Sequence, residues 1–129
     1  MNIGCASELS DLPAKTIRYY EEIGLVSPDR SSNGYRDYNQ RDIEALQFLR
    51  KARGLGFSVD DCRQLLALQS DETRASQDVR ALASGHIEEI TARIAQLEEM
   101  RVELQALVKR CRGDQNPQCA ILDAISAHN

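Results

Sequence analysis

Residues 13–38 read PAKTIRYYEEIGLVSPDRSSNGYRDY, and this stretch decides the fold. Pro13 suits the first turn of a helix, where its missing N–H is no loss, and the helical pattern runs to Ile23 before Gly24. The turn formers of LVSPDRSSNGYRDYN follow, with Asn33-Gly34 as a hairpin signal, so a small wing is predicted after the helix. Upstream, a short helix can run from about Ile3 to Leu9 and end at Ser10-Asp11. Two helices joined by a turn of three or four residues form a helix-turn-helix unit.

Working downstream, Asn39 can cap a third helix, Gln40 to Leu55, with Ile43, Leu46, Leu49 and Ala52 on one apolar face and Gly56 at its end. Ser58 with Asp61 resembles a capping box for a fourth helix reaching about Leu68. QSDET is a polar break. The longest helix then runs from about Thr73 to Arg110. Alternating steps of three and four pick out Ala83, Ile87, Ile90, Ile94, Leu97, Arg101, Leu104, Val108 and Cys111, an apolar seam broken only by Arg101. Such a seam over four heptads argues for a coiled-coil dimer, because so short a chain has little left to cover the helix itself. The fold class is therefore mainly α: a winged helix-turn-helix head over 1–70, a dimerisation helix over 73–110, and a loop with a short helix over 111–129.

At 129 residues, with 42% apolar content but only 5% aromatics and no Trp, the chain supports a modest core. The start MNIGCASELSD has neither a basic opening nor a long apolar run, so a cytoplasmic protein with no membrane association is expected. Four cysteines, Cys5, Cys62, Cys111 and Cys119, are expected as thiols in a reducing compartment. Net charge is −4. Residues 1–74 carry ten Lys/Arg against twelve Asp/Glu, and residues 75–129 six against eight. Global charge thus gives no support for nucleic-acid binding, and the case rests on where particular basic residues lie.

Those positions are informative. Lys15, Thr16, Arg18, Tyr19 and Tyr20 lie in the second helix, whose N-terminal part enters the major groove in a helix-turn-helix. Arg18 suits a bidentate contact to guanine, with Lys15 and Tyr19 or Tyr20 reaching bases or phosphates, while Ile17 and Ile23 point inward. Arg30, Asn33, Gly34, Tyr35 and Arg36 form the wing, where a loop contacts DNA backbone. Arg50, Lys51 and Arg53 form a basic cluster ending the third helix. The bland alternative is a solvated surface with acidic neighbours such as Glu21, Glu22 and Asp37; helix, turn, helix and basic wing in sequence argue against it.

At the other end, Cys111 and Cys119 bracket CRGDQNPQC. Gly113 and Pro117 break helix and permit a compact loop, and the following AILDAIS is a short apolar helix that can cover the pair. Two thiolates without a third His, Cys or carboxylate of evident spacing suit a soft ion content with linear two-coordination, above all Cu(I); zinc would want four ligands. Two thiolates around a monovalent cation leave one negative charge to neutralise, and Arg80 or a helix N-terminus is expected to do so. Spacing alone leaves a reversible disulfide, or two thiols without a role, open. Cys5 and Cys62 read as buried small residues, and His86 and His128 as non-ligands.

With these residues identified, the chain closely resembles the MerR family of regulators, in its copper-responsive CueR/HmrR branch. The resemblance covers essentially the whole chain. It rests on MNIG-x-ASE, then PAKTIRYYEEIGLVSP and NGYRDY, and on C-x-GD-x4-C as Cys111, Gly113, Asp114 and Cys119. Ser76, in ASQDVR, is a third mark. In that family a cysteine there accompanies divalent sensing, and serine goes with Cu(I), Ag(I) or Au(I). The resemblance implies an antiparallel pairing of the long helices in a homodimer. It also implies that Cys111 and Cys119 hold the ion, with Ser76 of the partner subunit nearby. It further implies a transcription activator that sits on double-stranded promoter DNA with or without metal. Metal binding then bends and untwists the promoter into register for RNA polymerase, switching on copper-resistance or efflux genes. Three departures stand out: Asp11 where the first turn usually carries Gly, Cys5 in place of an acidic or polar residue, and a tail without further Cys or His. Asp11 is expected to hold a left-handed turn with some strain.

Two other readings compete. A thiol redox regulator would use a Cys111–Cys119 disulfide, and a copper buffer without DNA function would leave the head unexplained. An enzyme is not expected, since no Ser/His/acid set, phosphate loop or paired-acid motif is present.

Overall fold

The computed structural model describes residues 1–115 and 117–126; His128 lies outside the described residues. Asn2 caps α1 (Ile3–Ser10) through its side chain, and the helix closes on Asp11 in the left-handed conformation, φ 57° and ψ 39°. Asp11 therefore does what glycine usually does in such a turn, and its carboxylate is met by Arg50 at 3.1 Å. Pro13 is the N-cap of α2 (Ala14–Glu22), one position earlier than the helical role expected of it. The turn between α1 and α2 is closed by the Ser7 hydroxyl donating to the Leu12 carbonyl at 2.5 Å.

The wing consists of β1 (Asp29–Arg30) and β2 (Arg36–Asp37), antiparallel, with Asp29 opposite Asp37 and Arg30 opposite Arg36. The Ser31 N–H donates to the Tyr35 carbonyl and the Gly34 N–H to the Ser31 carbonyl, with Gly34 at φ 85°. That is a three-residue hairpin loop ending in a left-handed glycine. Tyr38 follows, almost completely buried, and its N–H donates to the Met1 carbonyl at 2.7 Å, which ties the wing to the approach to α1.

Both remaining helices of the head open with capping boxes: Asn39 with Asp42 for α3 (Gln40–Gly54), and Ser58 with Asp61 for α4 (Val59–Ser70). Each box satisfies an otherwise orphaned N–H in the first turn and stabilises its helix by about 1 kcal/mol. The core joins Ala6 of α1, Ile17 and Tyr20 of α2, Val26, Tyr38, the α3 face Ile43, Leu46, Leu49 and Ala52, and Cys62 of α4. Ser10 is also buried, and its hydroxyl donates to the Ala6 carbonyl at 2.6 Å. Cys62 is thus a core residue as expected, but Cys5 is exposed: at the third position of α1 it falls on the face away from Ala6 and Ser10.

The long helix α5 spans Ser76–Arg110, about 52 Å at 1.5 Å per residue. Thr73, expected inside it, belongs to the preceding turn because Asp71 captures both its N–H and its hydroxyl, at 2.9 and 2.6 Å. The chain separates into two compact units, Met1–Leu82 and one beginning at Ala83. In the second unit, the short helix α6 (Ala120–Ser126) follows the cysteine loop, and Leu107 is the buried apolar side chain among the described residues. Along α5 the seam residues Ile87, Ile90, Ile94, Leu97, Leu104 and Val108 are 41 to 61% exposed. No helix among the described residues is long and apolar enough to cross a membrane.

Candidate metal centre and nucleic-acid interface

Cys111 sits where α5 ends, its N–H donating to the Leu107 and Val108 carbonyls. Gly113, at φ 66°, then turns the chain in a conformation that costs other residues strain. Cys119 stands just ahead of α6, its carbonyl accepting from the Asp123 N–H at 3.0 Å. The loop brings the two sulfurs to 3.6 Å. That is short of the roughly 4.6 Å spanned end to end by two metal–thiolate bonds of about 2.3 Å, and far beyond the roughly 2.05 Å of a disulfide. Both cysteines are free thiols, half-buried.

The Leu122 N–H, hydrogen bonding to the Cys119 sulfur, is the main cause that holds its thiol below the usual range. The Cys111 side chain and the Ile121 N–H add to it, while burial and Asp123 oppose it. The backbone at the start of α6 thus favours the thiolate, which is the form that binds soft metals. N–H groups at the start of α6 stand beside the Cys119 sulfur. Arg80 and Ser76 are both exposed on the first turns of α5, in the other compact unit. Asp114 follows Gly113 in the loop, exposed. His86 places its Nδ1 3.6 Å from Glu89, one turn on.

On the head, α2 presents Lys15, Arg18 and Tyr19 to solvent, with Thr16 half-buried. Tyr20 does not belong with them. It is 5% exposed and sits in the core one turn after Ile17, its ring centroid 6.0 Å from that of Tyr19. The expectation that Tyr20 reaches bases or phosphates is corrected on that ground: residues three apart share a helix face, and Ile17 faces inward. In the wing, Tyr35 is 73% exposed. The Asn33 side chain accepts from the Ser31 hydroxyl and, at 3.4 Å, from the Tyr35 N–H, so it shapes the loop. Gly34 supplies the left-handed tip. Arg53 donates to the Phe57 carbonyl at 2.7 Å, clasping the turn after α3.

Sequence reasoning missed several residues that fix this surface. Glu21 lies between the wing arginines, accepting from Arg36 Nε–H and standing 3.6 Å from Arg30. The hydrogen bond to Glu21 raises the pKa of Arg36. Tyr38, held un-ionised by burial first and by Glu21 second, has no hydrogen-bond partner for its hydroxyl among the described residues. Arg63 of α4 donates to the Ile23 carbonyl at the end of α2 at 2.6 Å, and Gln47 of α3 to the Leu9 carbonyl at 3.0 Å. Both contacts hold the helix-turn-helix from behind. No local pattern signals either, since the partners are about forty residues apart in the chain.

Comparison with known proteins matches this arrangement along its length. Residues 1–69 match the MerR HTH family regulatory proteins, and residues 43–107 match the MerR DNA-binding family. The chain is 56% identical over 126 residues to the HTH-type transcriptional regulator HmrR of Rhizobium leguminosarum bv. viciae, covering 98% of each chain. It is 48% identical to the heavy metal-dependent transcription regulator 2 of Rhizobium meliloti, covering 98% of this chain and 86% of that one. Among solved structures, the transcription regulator PbrR691 of Ralstonia metallidurans in complex with Lead(II) superposes with a TM-score of 0.83 at 30% identity, over 98% of this chain and 99% of that one. With the winged head, the long helix and the terminal helix all in place, the chain belongs to the MerR family of helix-turn-helix transcription regulators, and so to a family of DNA-binding proteins rather than enzymes.

Proposed function

We propose that this protein is a metal-responsive transcription activator that senses Cu(I) through Cys111 and Cys119, with Ag(I) or Au(I) as alternative ions. The observation that carries the reading is the sulfur pair itself: two thiols at 3.6 Å, one of them biased toward thiolate by backbone N–H groups. The heavy-metal dependence named for a 48% identical relative supports metal responsiveness. Serine at position 76, the mark of monovalent sensing in the family it resembles, supports Cu(I) over the divalent lead held by PbrR691.

The protein works as a homodimer. An apolar seam left half-exposed along a 35-residue helix is costly in water, and a second copy of the same seam removes that cost. The dimer presents two heads to double-stranded promoter DNA, with Lys15, Thr16, Arg18 and Tyr19 toward the groove and Arg30, Asn33, Gly34, Tyr35, Arg36 and Arg53 toward the backbone. Metal binding favours the dimer conformation that bends and untwists the promoter for RNA polymerase. The ion drives that change only by its differential affinity for the two conformations, so operator DNA must shift metal affinity by the same factor.

A thiol redox reading is the second, favoured by the same sulfur proximity. The test separates them. Under strong reductant, Cu(I) switches on transcription from the wild-type complex, while Cys111→Ser and Cys119→Ser each abolish the response with operator binding retained. Activation that instead requires oxidant assigns the pair to disulfide chemistry, and loss of DNA binding in either variant makes the cysteines structural.

A further inference from the structure

The wing has a register that looks unfavourable by itself. Arg30 stands directly opposite Arg36, and Asp29 opposite Asp37, so each pair of facing residues carries like charges. Like charges across an antiparallel pair destabilise it, and among the described residues no other strand joins this two-stranded ribbon. The compensation comes from outside the hairpin: the Met1 ammonium meets Asp37 at 2.5 Å, and a carboxylate serves the arginine pair. Glu21, at the end of α2, accepts the Nε–H of Arg36 with one carboxylate oxygen, and its other oxygen lies 3.6 Å from Arg30. The Glu21 side chain is only 18% exposed, and the three side chains together carry one positive charge.

The donors are shared out unequally. Arg30 turns its other terminal nitrogen to the Gly34 carbonyl at 3.2 Å, so this arginine closes the wing on itself. Arg36 commits its Nε–H to Glu21, and its planar fork carries terminal N–H groups that can reach an acceptor beyond the protein. Arg36 lines the same cleft as Arg18 and Tyr35.

We propose that Glu21 is a positioning residue for DNA recognition: it locks the wing arginines onto the recognition helix, so that Arg36 meets a backbone phosphate in fixed register with Arg18. The proposal rests on the head being the DNA-binding surface, and it runs against simple electrostatics. A carboxylate on a DNA-facing surface repels phosphates, so by charge alone its removal tightens binding.

The test uses full-length protein without metal and a duplex selected in vitro by the wild-type chain. Glu21→Gln weakens binding, and the slope of log affinity against log salt becomes shallower by about 0.9, the loss of one phosphate contact. Hydroxyl-radical footprinting loses the wing's protections and keeps those of α2. Glu21→Asp keeps the charge but is too short to serve both arginines, and it weakens binding too. Glu21→Gln adds nothing to the loss already caused by Arg36→Ala. Tighter binding by Glu21→Gln with a steeper salt slope overturns the proposal, as does a Glu21→Asp protein that matches the wild type in affinity and slope. If Glu21→Gln lowers the thermal midpoint, the Glu21→Asp result decides. A wild-type chain that selects no duplex removes the DNA-binding reading, and the clamp with it.

Discussion

Between Met1 and Leu82 the chain buries ten side chains of its own core, from Ala6 to Cys62, whereas from Ala83 onward Leu107 is the buried apolar residue among those described. The two units have similar amphipathic helices but different destinies for the apolar face. In the head, α3 turns Ile43, Leu46, Leu49 and Ala52 onto α1, α2 and α4, and the face is satisfied within one chain. In the long helix, Ile94, Leu97 and Leu104 stay at least half exposed. The first unit reads as a self-sufficient fold, and the second as half of one. A regulator that must carry a signal between sites gains from that division, because the part that is completed by association is the part whose arrangement a ligand can bias.

Leu97→Glu puts a charge in the seam and converts the proposed dimer to monomer in sedimentation, while the head keeps its own unfolding transition. The concentration dependence of thermal unfolding expected of a wild-type dimer disappears with it. Leu46→Ala does the reverse: it lowers the head's stability by about 2–5 kcal/mol through loss of buried contacts and the cavity left behind, and the change is independent of protein concentration. Equal effects of the two substitutions on the head's unfolding midpoint would erase the distinction.

A smaller effect is expected at the cysteine loop. Because backbone N–H groups hold the Cys119 thiol below its usual range, Cys119 retains thiolate at a pH where the unfolded chain is already protonated. The thiolate interaction therefore stabilises the fold above the unfolded thiol's titration and is lost as pH falls through the lowered value. Iodoacetamide at neutral pH should modify Cys119 ahead of the more exposed Cys5, as read by peptide mass mapping. Preferential modification of Cys5 would show that exposure, not thiolate character, governs the site.

Much of this was legible from residues alone. Asn39 and Ser58 announced their helices, the 3.6-residue rhythm of α3 named its core face, and the three-four seam marked the unpaired face of α5. Gly113 and the Cys111–Cys119 spacing foretold a closed loop. What escaped was what depends on register or on distant partners. A two-residue Asn33-Gly34 turn would set Arg30 against Asp37. The three-residue loop actually formed sets it against Arg36 instead, and only then does Glu21 acquire its part. Tyr19 and Tyr20 are adjacent in sequence but lie about 100° apart around the helix, so one is surface and the other core. Cys5 was misjudged for a related reason: α1 buries Ala6 and Ser10, and Cys5 precedes that stripe.

The proposed function requires two sulfurs to choose a soft monovalent ion. X-ray absorption on the Cu(I)-loaded protein under reductant, with metal counted per chain, addresses that most directly. One copper per chain with two sulfur neighbours is the predicted result. Three or more protein ligands around the ion, or a Cys111→Ser protein that binds copper with the same neighbours, would contradict it.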